Sequence, residues 1–280
     1  KIIYDLSYQY LQYLYQKNDD INRTDMANLS LDILRKRSKI SGETNLAQIT
    51  TPNTNPALAQ NTRRITFSYG HENFKKDFIK INLRPAYHDL LDDDEGFLQG
   101  AQINLLNLDL RYYNDNEKLK IDNLDFVDIT SYSPRTLLFK PLSWELKIGV
   151  KNFDISNQNF GTSAFGHLAV GYNFDLNPKN DISFLITSDS YYKNKLPDNF
   201  LSSIGPKINL ISRLSEFLKL NLSAQYYFFL NYQDFNYVEY KIEQNLKLEK
   251  NLSLKANYSQ RIFENHKNSN EFEVGISYYF

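Results

Sequence analysis

The chain has 280 residues, a net charge of −1 and an isoelectric point near 6.5, so nothing in its overall charge favours a nucleic-acid partner. It holds no cysteine, which removes disulfides, thiolate catalysis and cysteine-based metal sites. Aromatic residues make up 15%, mean hydropathy is −0.53, and no stretch reaches the ~18 apolar residues of a membrane-spanning helix.

The first residue is Lys1, and no basic-apolar-small leader follows it, so the sequence reads as mature, trimmed or part of something longer. Residues 1–17 predict a helix, with Ile3, Leu6, Tyr10, Tyr13 and Leu14 at three- and four-residue spacing. Its other side carries Tyr4, Tyr8, Leu11 and Tyr15, so the helix is apolar nearly all round and should be covered. After a break at Asn18-Asp19-Asp20, Thr24 is the expected cap of a second helix running to about Ile40. Arg35, Lys36, Arg37 and Lys39 cluster in its last turns. That suits the helix dipole, and it also suits contact with phosphate headgroups. Residues 41–62 hold Pro52 and Pro56 without periodicity and read as a linker. The expected organisation is a helical region and linker over 1–62, followed by a β region over 63–280.

From Arg63 onward about twelve strands are expected. The second runs from Phe74 to Tyr87, the third from Ala101 to Tyr113 and the fourth from Lys118 to about Ser131. The third slips phase at Leu105-Leu106, which suggests a bulge. The fifth sets Trp144, Leu146, Ile148 and Val150 against Glu145, Lys147, Gly149 and Lys151. The last sets Phe272, Val274, Ile276, Tyr278 and Phe280 against Glu273, Gly275, Ser277 and Tyr279. Several runs keep this alternation over about 9–11 residues, the length that crosses a tilted bilayer, whereas a soluble strand averages about 5–6. A soluble sandwich would show the same alternation. Strand length and the aromatic ends favour an all-β, antiparallel transmembrane β-barrel of about 12 strands with a short N-terminal helical region, its apolar face in lipid and its polar face lining the lumen.

Turns near Asn177-Asn180, Leu214-Glu216 and Glu249-Asn251 are short. They alternate with longer links over Asp154-Ser163, Tyr191-Ser202, Tyr232-Asn236 and Glu264-Asn270. In an outer-membrane barrel short turns face the periplasm, which would put both termini there, with the His88-Gln99 and Ser133-Lys140 connections.

One constellation carries candidate chemistry, residues 84–96. His88 beside acidic residues has the composition of a general base or a ligand, and Asp92, Asp93, Asp94 and Glu95 form a weak calcium candidate. Their spacing matches no EF-hand or zinc motif, and a hydrogen-bonded loop is the plainer reading. No other metal site or cofactor is expected. A lipid hydrolase would need a serine nucleophile with a histidine base. None of His71, His88, His167 and His266 sits in a His-x-Ser arrangement. Glu145, Lys147, Lys151, His167, Lys241, Glu243, Lys247 and Lys255 fall on the lumen face, where they would line a pore or form a paired, packed network.

Leu83-Asp92, Glu95-Phe97, Gly100-Asn104, Leu124-Ser131, Ser133-Arg135 and Pro141-Trp144 resemble the C-terminal barrel of a family of large Gram-negative outer-membrane proteins with an Lnb N-terminal periplasmic domain. The resemblance is strong over about 70 residues and weaker in the later strands. It implies an upstream cysteine-peptidase-like domain joined to a barrel, and this chain has no cysteine and no room for such a domain. Its motifs fall on two connections, so Arg84, Tyr87, His88, Asp89, Asp92 and Arg135 are expected to form a docking cluster beneath the barrel that touches residues 1–40. The expected function is an outer-membrane barrel, surrounded by lipid, that anchors a periplasmic domain or protein partner without catalysis of its own. A transport pore is the first alternative and a lipid hydrolase the second.

Overall fold

Inward and outward residues alternate along nearly every strand from Arg64 to Tyr279, and that alternation builds a cylinder. The computed structural model describes residues 1–18, 22–41, 59–74, 76–114, 118–155, 158–194 and 196–280. The chain forms two compact units, Lys1–Asn53 and Thr54–Phe280.

The first unit pairs α1 (Ile2–Lys17) with α2 (Arg23–Ser38). Gln12 reaches Ser30 at 3.5 Å, and Arg37 pairs with Asp5. The cap of α2 is Asn22 rather than Thr24: its Oδ1 accepts from Thr24 N at 2.8 Å. The helix starts earlier than the sequence suggests, which leaves Thr24 in its first turn. It also ends at Ser38, short of Ile40. None of α1 is buried, and Ile3 and Leu6 are exposed. Of the four basic residues ending α2, Lys36 pairs with Asp32 and Arg37 with Asp5.

The second unit has strands β1 (Arg64–Glu72), β2 (Lys76–Arg84), β3 (Ala86–His88), β4 (Ala101–Tyr113), β5 (Lys118–Ser131), β6 (Ser143–Ile155) and β7 (Gln158–Asn177). Then follow β8 (Asn180–Tyr192), β9 (Phe200–Arg213), β10 (Leu218–Phe229), β11 (Tyr237–Glu249), β12 (Leu252–Phe263) and β13 (Ser269–Tyr279). Each pairs antiparallel with its neighbour, β1 pairs with β13, and β2 and β3 both pair with β4. Between β2 and β3 sits Pro85, which has no N–H for the ladder. The two run in line and count as one, so the ring is a closed barrel of twelve strands. Closure removes every open sheet edge.

The phase slip in β4 is real. Leu106 has φ +55° and drops out of the ladder, as does Phe126 opposite it on β5. Asn104 and Asn107, three apart, both stay on the inner side. The expected long link over 154–163 is instead mostly strand, as β6 runs to Ile155 and β7 starts at Gln158.

Register fixes the two ends. Phe280 N donates to Arg63 O at 2.9 Å, so the barrel starts and finishes at one rim. The short turns after β7, β9 and β11 lie at that rim, as do the 89–100 and 132–142 connections. Gly100, at φ +74°, closes the first of these against Tyr132; a Cβ there would sit 2.3 Å from the Tyr132 carbonyl oxygen.

Outside, the wall is apolar all the way round. Phe67, Ile79, Ile148, Leu168, Ile186, Ile208, Ile242 and Ile276 are all exposed. Inside, it is polar through the middle and aromatic toward the far rim. There Phe153, Phe165, Tyr191, Tyr227, Phe229, Tyr237 and Phe263 point inward from β6 to β12, joined by Leu196 and Phe235 from the connections. Tyr227 and Tyr237 stack at 4.4 Å, and Phe229 is fully buried.

Candidate functional site

The connection after β3 does not hang beneath the barrel but turns up into its mouth, because the carboxylates of Asp89 to Asp94 find bases on the inner wall. Asp92 is the hub. It pairs with Arg84, and its Oδ1 lies 3.3 Å from Arg64 Nη1 and 3.5 Å from Lys255 Nζ, and accepts from the Tyr279 hydroxyl at 2.7 Å. Asp89 takes Arg64 at 3.0 Å and Lys255 at 3.4 Å. Asp94 binds Arg213 at 2.8 Å and Lys219 at 2.6 Å, and Asp93 pairs with Lys247. Asn245 Nδ2 donates to Leu91 O at 2.7 Å. Seven strands thus hold one loop, from β1 and β2 round to β9 through β13. Burial by itself would push the pKa of Asp89 and Asp92 up, toward the neutral acid. Lys255 and Arg64 beside Asp89, and Arg84, Lys255 and Arg64 beside Asp92, overcome it and hold both carboxyls well below the usual range.

Above the loop lies a polar cavity of about 400 Å³, bounded below by Asp89, Leu90 and Leu91 and reaching Glu72 and Asp154 toward the far rim. On its wall His167 sits between two carboxylates, 2.9 Å from Glu145 Oε2 and 2.9 Å from Asp189 Oδ1. Glu145 also takes Lys207 at 2.8 Å and the Tyr132 hydroxyl. Lys147 pairs with Asp128 at 3.0 Å. Glu239 is shared by Lys241 at 2.9 Å and Arg261 at 2.8 Å. Glu243 accepts from Asn221 at 2.9 Å. Lys151 lies over the rings of Phe165 and Tyr191.

The residues expected on the lumen face are therefore inside the barrel. Glu145, Lys147, Lys151, His167, Lys241 and Glu243 line the cavity, while Lys247 and Lys255 hold the loop. Of the expected docking cluster, Arg84, Asp89 and Asp92 meet. His88 is buried nearby with its ring stacked on Phe97 at 4.2 Å, and neither ring nitrogen has a hydrogen-bond partner among the described residues. Arg135 and Tyr87 do not join them: Arg135 stacks on the outward ring of Tyr172 at 4.3 Å, and Tyr87 is exposed. Their side chains fall on the outward side, away from the inward-turned loop. The calcium candidates do not converge either. Asp92, Asp93 and Asp94 each meet a different set of bases, and Glu95 lies 3.7 Å from Lys247. Arg64, Arg213, Lys219 and Tyr279 are part of the site although their sequence context does not single them out. Each occupies an inward position of its strand, and that phase is the only signal they carry.

A closed barrel with an apolar outer wall and a charged interior defines a porin-like β-barrel, the architecture of outer-membrane channels. Its fold is similar to an outer-membrane channel from Pseudomonas putida F1, with a TM-score of 0.51 at 10% identity, covering 85% of this chain and 100% of the channel. The NanC porin aligns with a TM-score of 0.49 at 8% identity over 77% of this chain and 100% of its own. The KdgM porin in complex with disordered oligogalacturonate aligns at 0.45 and 8% over 78% and 99%. No curated protein sequence matches the chain significantly. The chain belongs to the family DUF7840, a domain of unknown function, whose profile matches residues 53–279.

Proposed function

We propose that this chain is an outer-membrane channel for small polar solutes, narrowed from within by its own 89–95 loop. One observation carries this reading: a charged cavity of about 400 Å³ runs along the inside of a barrel whose outside is apolar all round. A passive anchor needs only the outer wall, and twelve strands leave more interior than the filled eight-strand case. The apolar wall needs hydrocarbon against it, and in an antiparallel closed barrel that environment is an outer membrane. The rim carrying the short turns and both barrel termini then faces the periplasm.

The test is conductance across a planar bilayer. The parent chain is expected to show small, stable steps, and a variant with residues 89–95 replaced by a short Gly-Ser link is expected to show larger ones. Absence of steps from both would exclude the channel. A second reading, an anchor for a periplasmic module, is favoured by the separate compact helical unit at Lys1–Asn53. An upstream Lnb-type domain belongs to that reading. Copurification of a periplasmic protein that is lost when residues 1–53 are removed would support it.

A further inference from the structure

Nearly every cation inside the barrel has an acid within ion-pair distance, and Lys151 is an exception. Among the described residues its ammonium makes no ion pair or hydrogen bond; instead it lies 4.6 Å from the ring centre of Phe165 and 5.6 Å from that of Tyr191. On the ring of strands β12 is six places from β6 in either direction, so the Lys241, Glu239 and Arg261 group of β11 and β12 lies on the opposite wall. There one carboxylate serves two bases, which leaves one positive charge over. Lys151, Lys241 and Arg261 all line the same cavity, beside the rings of Phe165 and Tyr227.

An ammonium on a narrow cavity wall with no acid within ion-pair distance lacks a counter-ion, and aromatic faces replace it only in part. An entering oxyanion would supply the missing partner through charge-assisted hydrogen bonds. A flat, apolar body on that anion would lie against the aromatic wall. The carboxylates of Asp154 and Glu243 on the same cavity wall accept from Asn152 and Asn221 rather than from Lys151.

We propose that Lys151, facing Arg261 and Lys241 and backed by Phe165 and Tyr191, is a binding station for a small organic anion with a flat apolar face. Its place in transport rests on the channel reading, but occupancy is measurable without conduction. Calorimetry on the full chain in detergent would compare benzoate, acetate and benzyl alcohol. Benzoate should bind, acetate about tenfold more weakly, and benzyl alcohol not measurably. Lys151→Met should weaken benzoate at least about tenfold, and Lys151→Arg should stay within about threefold of the parent. Heat-modifiable gel migration would show that each variant remains a folded barrel. If the parent fails to bind benzoate, or folded Lys151→Met binds it as well as the parent, the station does not exist. Conductance without benzoate binding counts against the station alone, and benzoate binding without conductance counts against the channel alone.

Discussion

Arg84 and Asp92 meet inside the barrel mouth, and neither side chain has any exposure to solvent. One belongs to the wall and the other to the loop, so the pair joins the loop to the barrel where water cannot compete. Removing one partner of a buried pair leaves the other charge stranded, at about 3–5 kcal/mol. Asp92 also serves Arg64, Lys255 and Tyr279, so Asp92→Asn should sit at the upper end of that range. Tyr279→Phe removes one hydrogen bond to a charged group and should cost only about 1.5–3 kcal/mol. Urea unfolding in vesicles would rank the two. An Asp92→Asn variant no weaker than Tyr279→Phe would remove Asp92 from the centre of the network.

The same pairs fix how the loop answers to acid. Asp89 and Asp92 are held below the ordinary carboxylate range by Arg64, Arg84 and Lys255, against the opposing effect of burial. A carboxyl lowered in the folded state stabilises it fully above its unfolded value, near pH 4, and loses that contribution only as pH falls through the folded value. The loop should therefore stay locked from pH 8 down to pH 5 and loosen only well below pH 4. Hydrogen exchange of amides 89–94, corrected for intrinsic rate, would follow it. Loss of protection between pH 7 and pH 5 would show that these carboxylates do not hold the loop.

At the far rim the inner wall from β6 to β12 is held by packing rather than charge. Phe229 has no exposure and packs against Phe235 and Tyr237. Phe229→Ala should cost about 3–5 kcal/mol, combining lost transfer energy with a cavity. It should also widen the interior where the wall is aromatic. Conductance of this variant should exceed that of the parent, whereas a destabilised barrel with unchanged conductance would place the cluster off the solute path.

Much of this barrel is legible in period-two alternation. Trp144 to Lys151 and Phe272 to Phe280 each assign an inner and an outer face without ambiguity, and the parity of the strands puts both ends of the barrel at one rim. What the alternation hides is whatever violates it for a tertiary reason. Phe165, Tyr191 and Tyr227 occupy inward positions, where a polar residue is the norm, because they pack into one aromatic cluster toward the far rim. The run Asp89 to Glu95 has no period at all, and its composition suits a cation site or a solvated loop equally well. Only the wall opposite reveals its role, since Lys219, Lys247 and Lys255 lie more than a hundred residues away in the chain. Arg135 misled for the converse reason: its segment Ser133-Arg135 lies on the next connection at the same rim, but the backbone turns its side chain outward to Tyr172.

The outward face of β8 offers the sharpest test of what surrounds the barrel. Ile186 is 58% exposed, pairs across the ladder with Val170 and Pro206, and sits near the middle of its strand. In water an arginine there would displace little, and the change would fall within the ±0.5 kcal/mol typical of surface sites. In a bilayer the same guanidinium would lie near the hydrocarbon midplane, and Ile186→Arg should cost about 2–4 kcal/mol. The penalty should shrink to about 0–1 kcal/mol for Tyr192→Arg, at the end of the same strand where it meets the membrane interface. Unfolding free energies in phospholipid vesicles give both values. Equal, negligible costs at the two positions would mean that the apolar wall does not face lipid, and the channel would fall with it.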